Sequence, residues 1–276
     1  MQGWALVAAL ALAGCARAPV PATPNLPRPT IVSLNPCSDA VLAEVAAPGQ
    51  LLAISAFSKD PASSSMAPRV ARRFRAVGGT VEEVLALRPE LVIADDFLPA
   101  PTAAAFENQG IRVERIPIAH SVADSRSQVE RLAELAGQSE RGRAMLSWID
   151  LALARAAPPS GTSPISAVVW QSGGIVPGDD SLIADLLRRT GFASLSAARG
   201  MRQADFLPLE EMLADPPQVI FAAGNPRSNE DRLLSHPALA ALSGTRRARL
   251  DPALLWCGGP SMVRAAERLA AVRRSL

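Results

Sequence analysis

The stretch VEEVLALRPELVIAD, residues 81–95, decides the fold because it joins a helix directly to a strand. Its first half predicts a helix that Pro89 closes, and the continuous apolar run LVIA after the proline predicts a buried strand. Helices that alternate with such strands are the building units of parallel α/β sheets. The stretch therefore predicts one unit of this kind.

The same alternation continues on both sides of this stretch. Upstream, the strand-like segments TIVSLN and LLAISA flank the helical segment AVLAEVA. Downstream, AAAFENQGI predicts a helix that stops at Gly110, RVERIPI predicts a strand, and ADSRSQVERLAELAG predicts the helix that closes this half of the chain. The pattern restarts after residue 160 with four segments: ISAVVWQ, SLIADLLRRTG, LPLEEMLADPPQVIFAAG and GGPSMVRAAERLAAVRRSL.

Between the two sets of units lies SERGRAMLSWIDLALARAAPP, residues 139–159. Its apolar residues recur at helical spacing and no helix breaker occurs before Pro158, which predicts a helix of about 18 residues and roughly 27 Å. Such a helix can connect two lobes. We therefore expect an N-terminal α/β lobe over residues 30–138, a linking helix over 139–157 and a C-terminal α/β lobe over 158–276.

The first 15 residues, MQGWALVAALALAGC, form an apolar segment that is too short to span a bilayer comfortably. It is typical of an export signal, and its end, LAGC, resembles the lipobox of bacterial lipoproteins, whose cysteine is acylated and becomes the new N-terminus. This interpretation makes residues 1–15 a signal peptide and Cys15 the lipidation site. The alternative is a chance cysteine in an Ala-rich leader. The Pro-rich residues 16–29 then form an extended tether.

The composition excludes several classes of function. The 276 residues carry 28 basic and 26 acidic side chains, and no basic run is interleaved with aromatic residues, so nucleic acid is not expected as a partner. His120 and His236 lack metal-ligand spacing, and neither a G-x-S-x-G elbow nor a phosphate-binding loop occurs. We therefore predict no resident metal, no cofactor and no catalytic residue, and expect a protein that binds without chemistry.

A resemblance to a known family is carried by four segments in this order: IVSLNPCSDAVLAEV, VEEVLALRPELVIA, LPLEEMLADPPQVIFAAG and HPALAAL. They resemble the periplasmic substrate-binding proteins of cobalamin and iron-siderophore ABC importers, over most of the chain after the leader. The resemblance implies two Rossmann-like lobes with central parallel sheets, joined by a single long helix, and a ligand in the crevice between them. It also implies a periplasmic or cell-envelope location, a permease and ATPase complex as partner, and a monomer.

In open parallel sheets, a ligand binds outside the carboxyl ends of the strands, where the loops converge. The residues at these ends are therefore the candidate ligand contacts, and the last predicted strand is expected to end at Trp256 and Cys257. The candidates from the N-terminal lobe are Asn35, Pro36, Cys37, Phe57, Asp95 and Phe97, and those from the C-terminal lobe are Gln171, Phe206, Trp256 and Cys257.

Four aromatic residues of this set, Phe57, Phe97, Phe206 and Trp256, would form flat apolar walls for a macrocycle or a metal chelate. Each of them can equally be a core residue, as aromatic side chains in α/β proteins often are, and Trp170 within a buried strand is expected to be core. Apolar walls favour a corrinoid, whereas the arginine-rich stretch APRVARRFRAVGG favours an anionic ferric siderophore. The sequence leaves both ligands open.

Each lobe starts one helix with a pair of glutamates, Glu82–Glu83 and Glu210–Glu211. Acidic residues at a helix start are stabilised by the helix dipole, which is a purely structural use. The resemblance implies a second use, because one exposed glutamate per lobe docks on permease arginines in that family, and Glu82 and Glu210 match those positions. The neighbouring glutamate leaves the register open.

Once Cys15 is assigned to the anchor, Cys37 and Cys257 remain as a pair. They are predicted to face the crevice from opposite lobes, too far apart for a disulfide, which requires Cα atoms within about 7 Å. We expect reduced thiols that can contact a metal-bearing ligand, with Gly258 and Gly259 allowing close approach of the backbone. The alternatives are two independent buried thiols, and a thiol-based redox or ligand-modifying enzyme that uses the pair as a dithiol.

Overall fold

The computed structural model of the protein describes residues 28–224 and 236–276. The predicted signal peptide, the lipidation site Cys15 and the tether up to residue 27 lie outside the described residues. Within them the chain is an α/β protein with two parallel sheets, as the alternation of helices and strands predicts.

The first sheet contains five parallel strands. These are β1 (Ile31–Ser33), β2 (Leu51–Ser55), β3 (Ala76–Val77), β4 (Leu91–Ala94) and β5 (Arg112–Arg115). Their order across the sheet is β3-β2-β1-β4-β5, so that β4, the strand of the opening stretch, lies beside the central β1 and is buried along its length. The helices of this half are α1 (Pro36–Val45), α2 (Pro68–Ala71), α3 (Val81–Leu85), α4 (Ala100–Glu107) and α5 (Val122–Leu135).

The second half of the chain follows α6 (Ser139–Ala156). Its strands are β6 (Ile165–Gln171), β7 (Ile175–Pro177), β8 (Phe192–Ser194), β9 (Ala204–Phe206), β10 (Val219–Ala223) and β11 (Arg246–Leu250). Four of them form a parallel sheet in the order β11-β10-β6-β8, and β7 pairs with β9 in an antiparallel ribbon. The helices are α7 (Leu182–Arg189), α8 (Leu195–Ala198), α9 (Leu209–Ala214), α10 (Pro237–Ala240) and α11 (Ser261–Arg274).

The helix α6 has the 18 residues that its sequence predicts, and it packs against α5 on one side and α11 on the other. Met145, Leu146 and Ile149 on its buried face belong to a hydrophobic core that contains residues from both halves of the chain. The two sheets are therefore held by a shared apolar core as well as by the linking helix. The division of the chain at residues 138 and 158 stays a prediction.

The last strand lies earlier than predicted. β11 ends at Leu250, a short 3-10 turn follows at Pro252–Leu254, and the segment with Trp256 and Cys257 is not a strand. β11 is the edge strand of its sheet, so only alternate residues such as Ala248 and Leu250 are buried. Its arginine-rich sequence therefore lacks the continuous apolar run by which the central strands are recognised.

Candidate functional site

A cavity of about 310 Å³ lies between the two halves of the protein. One side comes from the segment that follows β5, and the other sides come from segments of the second half. The carboxyl ends of β5 and β6, one strand from each parallel sheet, therefore meet at a cleft. The lining residues are Ile118, Ala119, His120, Gln171, Pro177, Asp180, Ser181, Leu182, Ile183, Gln203, Ala204, Leu255 and Trp256.

The cavity combines apolar walls with a few polar groups. Ile118 and Trp256 are half-exposed apolar side chains, at 50% and 51% of their full accessibility. Gln171 and Gln203 offer neutral amides, and the carboxylate of Asp180 is paired with Arg202 at 2.5 Å. Predominantly apolar walls with few polar points are typical of small-molecule sites. The cavity suits a broad ligand with little charge at its faces.

Two of the predicted ligand contacts, Gln171 and Trp256, line this cavity together. The other predicted contacts do not line it. Phe57 and Phe97 lie on turns directly after β2 and β4, and Phe206 is the last residue of β9, opposite Ile175 of β7. These residues are at the expected ends of their strands, and their contact with a ligand stays a prediction.

The four predicted wall residues are not core residues. Their exposed fractions are 62% for Phe57, 75% for Phe97, 54% for Phe206 and 51% for Trp256. Trp170, in contrast, is completely buried, as its position within β6 predicts. Large apolar side chains cost free energy when they are exposed to water, so Trp256 and Ile118, which line the same cavity, indicate a binding surface there.

Three of the predicted contacts, Asn35, Pro36 and Asp95, stabilise the local backbone. The Asn35 side chain caps α1 by accepting hydrogen bonds from the backbone N–H groups of Cys37 at 2.8 Å and Ser38 at 3.3 Å, and Pro36 occupies the first turn. The side chain of Asp95 accepts a hydrogen bond from the backbone N–H of Phe97 at 2.9 Å. These residues fix the turns that carry the exposed groups.

Cys37 and Cys257 form a disulfide, with their Cα atoms 5.0 Å apart and 220 residues apart in sequence. The expectation of two reduced thiols facing a ligand is therefore wrong. It rested on Cys257 ending a strand of the C-terminal lobe, whereas the residue lies in a loop that crosses to α1. Cys257 is 4% exposed, so this structure gives no support to a dithiol enzyme, whose sulfur atoms must be reachable by a substrate.

The crossing segment, residues 257–261, packs into the first half of the protein through its backbone. The N–H of Cys257 donates to Ser65 Oγ at 3.1 Å, and the N–H of Gly259 donates to Ser125 Oγ at 2.7 Å. A Cβ atom on Gly258 would lie 2.0 Å from Ser125 Oγ, and Gly259 has φ +61°. The two glycines thus allow close packing on α5 and on Val41 of α1, instead of close approach to a ligand as expected.

Phe57 lies on a short 3-10 turn, Ala56–Lys59. The next two residues of this turn, Ser58 and Lys59, attach it to the rest of the protein. Ser58 Oγ donates to Asp39 Oδ2 at 2.6 Å, and Lys59 Nζ donates to two backbone carbonyls at and after the end of α2. The Phe57 ring itself is exposed to solvent. The turn therefore holds an exposed aromatic ring on a fixed support.

Asp39 in α1 is the buried residue that holds the turn of Phe57 in place. It is completely buried in α1, and its Oδ2 accepts hydrogen bonds from the backbone N–H of Ser55 at 2.8 Å and from Ser58 Oγ. Oδ1 has no hydrogen-bond partner among the described residues. Burial raises the pKa of Asp39 from 3.8 to about 7, although its hydrogen bonds act in the opposite direction. Its charge therefore changes near neutral pH.

In both glutamate pairs the second glutamate has a partner within the protein, although the partners differ. Glu83 forms a capping box with Thr80 at the start of α3, and Glu211 in α9 pairs with Arg199 at 3.3 Å. Glu82 and Glu210 are exposed, and neither side chain has a hydrogen bond or an ion pair within the described parts of the chain. The first glutamate of each pair is thus the one available to a partner.

His120 lies in the cavity although its sequence context predicts no ligand role. It follows β5 by five residues, at the same edge of the sheet as the predicted contacts, so its position after a strand is the signal that could have identified it. Its Nδ1 is 2.9 Å from the backbone carbonyl of Asp180 in the second half. The ring thus connects the two sides of the cleft.

Two features, a metal-binding cluster and a membrane-spanning helix, are absent from residues 28–224 and 236–276. No cluster of three or more His, Cys, Asp or Glu side chains in these ranges is arranged to hold a metal ion. The same ranges contain no helix with the length and apolarity needed to cross a bilayer.

The family comparison is consistent with this geometry. Residues 31–251 match the model of a family described as periplasmic binding protein. The match begins at β1 and extends through β11, so it covers both sheets and all cavity-lining residues except Leu255 and Trp256. No curated protein sequence matches the chain.

Several solved structures share the fold at low sequence identity. HutB, a periplasmic heme-binding protein of Vibrio cholerae, is 17% identical, with a TM-score of 0.71 over 88% of this chain and 98% of that one. A periplasmic heme-binding protein from Pseudomonas aeruginosa is 23% identical, with a TM-score of 0.67 over 88% and 92%. The vitamin B12-binding protein BtuF of Vibrio cholerae is 18% identical, with a TM-score of 0.65 over 90% and 98%.

Proposed function

Because the chain belongs to the periplasmic binding protein family, which its residues 31–251 match, we propose that it captures a metal chelate for an ABC importer. The ligand is a corrinoid or a ferric siderophore, held in the cleft between the two lobes and delivered to a permease and ATPase complex. The protein acts outside the cytoplasm, as a monomer and without catalysis. Similar folds in structures named for heme and vitamin B12 binding support this class of ligand.

The observation that carries the proposal is the cavity of about 310 Å³ walled by exposed Trp256 and Ile118, which lie on the segments that follow β11 and β5. Its volume is at the lower end of the usual range for ligand sites, and Phe57, Phe97 and Phe206, which are exposed at the ends of their strands, would supply further apolar contacts to a larger ligand. A chelate would cover these side chains and remove apolar area from water.

The role of the cavity is tested with a matched pair of tryptophans. Trp256→Ala is expected to weaken binding of the chelate about tenfold or more, because a buried aromatic contact is worth about 1–3 kcal/mol. Trp148→Ala serves as the control, since Trp148 in α6 is exposed to a similar extent, 49% against 51%, and does not line the cleft cavity. Calorimetric titration of each variant with cobalamin and with a ferric siderophore measures the ligand affinity. Equal affinities in Trp256→Ala and Trp148→Ala would contradict the proposed site.

The docking proposal rests on Glu82 and Glu210, whose carboxylates are exposed and have no partner in the described ranges. The double variant Glu82→Gln and Glu210→Gln is expected to reduce ligand uptake severalfold or more, because two charge-assisted contacts with permease arginines are lost. Ligand affinity is expected to stay unchanged. Glu44→Gln with Glu267→Gln, one exposed glutamate from each half, is the control. Weaker ligand binding in the docking variant, or unchanged uptake, would overturn the assignment.

A lipid anchor at Cys15 completes the proposal, since LAGC has the pattern of an acylation site. Incorporation of labelled palmitate into the wild type, and its loss in Cys15→Ser, is the expected result. A wild type that takes up no label would show that residues 1–15 are an ordinary leader.

A further inference from the structure

His120 is fixed at the cleft by its backbone. The residue directly precedes Ser121, the N-cap of α5, whose Oγ accepts a hydrogen bond from the N–H of Asp124 at 3.0 Å. The Asp124 carboxylate in turn accepts a hydrogen bond from the N–H of His120 at 3.0 Å. The imidazole is therefore attached to the rigid start of a 14-residue helix and not to a free loop.

The contact of the ring with the second half of the protein selects one tautomer. Nδ1 lies 2.9 Å from the carbonyl oxygen of Asp180, and a carbonyl oxygen only accepts hydrogen bonds, so Nδ1 carries the hydrogen. In the neutral ring the lone pair is then on Nε2. Within the described residues Nε2 has no hydrogen-bond partner. A histidine held through one nitrogen by a backbone carbonyl, with the other nitrogen free, has the arrangement of a metal ligand.

The surroundings define which metal such a nitrogen could bind. No group of three or more His, Cys, Asp or Glu side chains in residues 28–224 and 236–276 is arranged to hold a metal, so the protein offers no complete ligand set for a bare ion. Phenolate ligands do not occur, since the chain has no tyrosine, and Cys37 and Cys257 are joined in the disulfide. A single imidazole suits a metal whose remaining coordination positions are filled by the ligand itself, as in a macrocycle with an open axial position.

We propose that His120 Nε2 is the axial ligand to the metal of a planar macrocycle, a ferric porphyrin or a cobalt corrinoid, bound in the cleft cavity against Trp256 and Ile118. The apolar side chains contact the faces of the ring, and the imidazole supplies the single directed bond. Coordination replaces a water molecule on the metal by Nε2, and the oxidation state does not change. This inference rests on the proposed function and narrows its ligand class to macrocycles.

The test is a spectroscopic titration of the purified protein with ferric heme and with aquocobalamin. The wild type is expected to give the visible absorption of a nitrogen-ligated metal with one of them. His120→Asn, whose side-chain amide can still donate to the Asp180 carbonyl, is expected to bind at least tenfold more weakly and to lose that absorption. Added free imidazole should restore the nitrogen-ligated spectrum. His236→Ala, at the only other histidine of the chain, should behave like the wild type.

The outcomes separate the inference from the proposed function. Binding with the same spectrum in wild type and His120→Asn would overturn axial ligation and leave the binding function intact. Binding of neither macrocycle by the wild type would also overturn the inference, whereas saturable binding of a ferric siderophore in the same experiment would preserve the proposed function. A thermal unfolding curve of His120→Asn that matches the wild type shows that the loss is not a folding defect.

Discussion

Replacing both Cys37 and Cys257 by serine is expected to lower the free energy of unfolding by about 2–5 kcal/mol. The bridge closes a loop with a sequence separation of 220 residues, and long loops lose the most entropy in the unfolded chain when they are cross-linked. It also joins the start of α1 to the crossing segment, which is a second connection between the two lobes besides α6.

Chemical denaturation of the wild type with and without a reducing agent measures this effect. Reduction is expected to lower the stability of the wild type to that of the double variant and to leave the double variant unchanged, which controls for other actions of the reagent. Coincident curves for the oxidised wild type and the double variant would contradict a stabilising disulfide.

Asp39→Asn is expected to stabilise the protein above neutral pH, by up to about 4 kcal/mol. The pKa of Asp39 is raised from 3.8 to about 7 by burial, so the folded protein binds its proton more tightly than the unfolded chain does. The protonated Asp39 therefore contributes to the free energy of unfolding fully below pH 4, and this contribution is lost as the pH rises to about 7. Each unit of difference between the folded and unfolded pKa corresponds to about 1.4 kcal/mol. Asparagine stays neutral and can still accept the hydrogen bonds from Ser55 and Ser58.

The measurement is the difference in unfolding free energy between wild type and Asp39→Asn from pH 4 to 8. The difference should be small at pH 4 and grow in favour of the variant towards pH 7.5. Asp96→Asn, at an exposed position after β4, is the control and should give a constant difference. A constant difference for Asp39→Asn as well would show that the buried carboxyl group has an ordinary pKa.

The central strands and long helices were predictable because their signals are local. LVIA in β4 and the buried face of α6 are fully specified by short segments of sequence. The capping box of Thr80 and Glu83 was also readable as T-x-x-E, and it would have resolved which glutamate of the first pair is free. Edge strands such as β11 give weaker signals because one face is exposed.

The disulfide and the crossing segment could not be predicted, because they depend on how the two lobes meet. Cys37 and Cys257 belong to segments with no local connection, and the close packing of Gly258 on Ser125 becomes visible only in three dimensions. For the site, the rule that ligands bind at the carboxyl ends of strands selected Gln171 and Trp256, which line one cavity, although Trp256 follows β11 by six residues and does not end a strand. His120, which lines the same cavity, was missed because a single histidine has no spacing motif.

Whether the protein carries a metal chelate can be measured on the protein purified from its own host, by a native mass spectrum recorded together with the visible absorbance. We expect one metal chelate per chain, with the mass and absorption bands of a corrinoid, a porphyrin or a ferric siderophore. A protein that carries no ligand, and that forms no one-to-one complex when cobalamin, ferric heme and a ferric siderophore are added in excess, would contradict the proposed binding function.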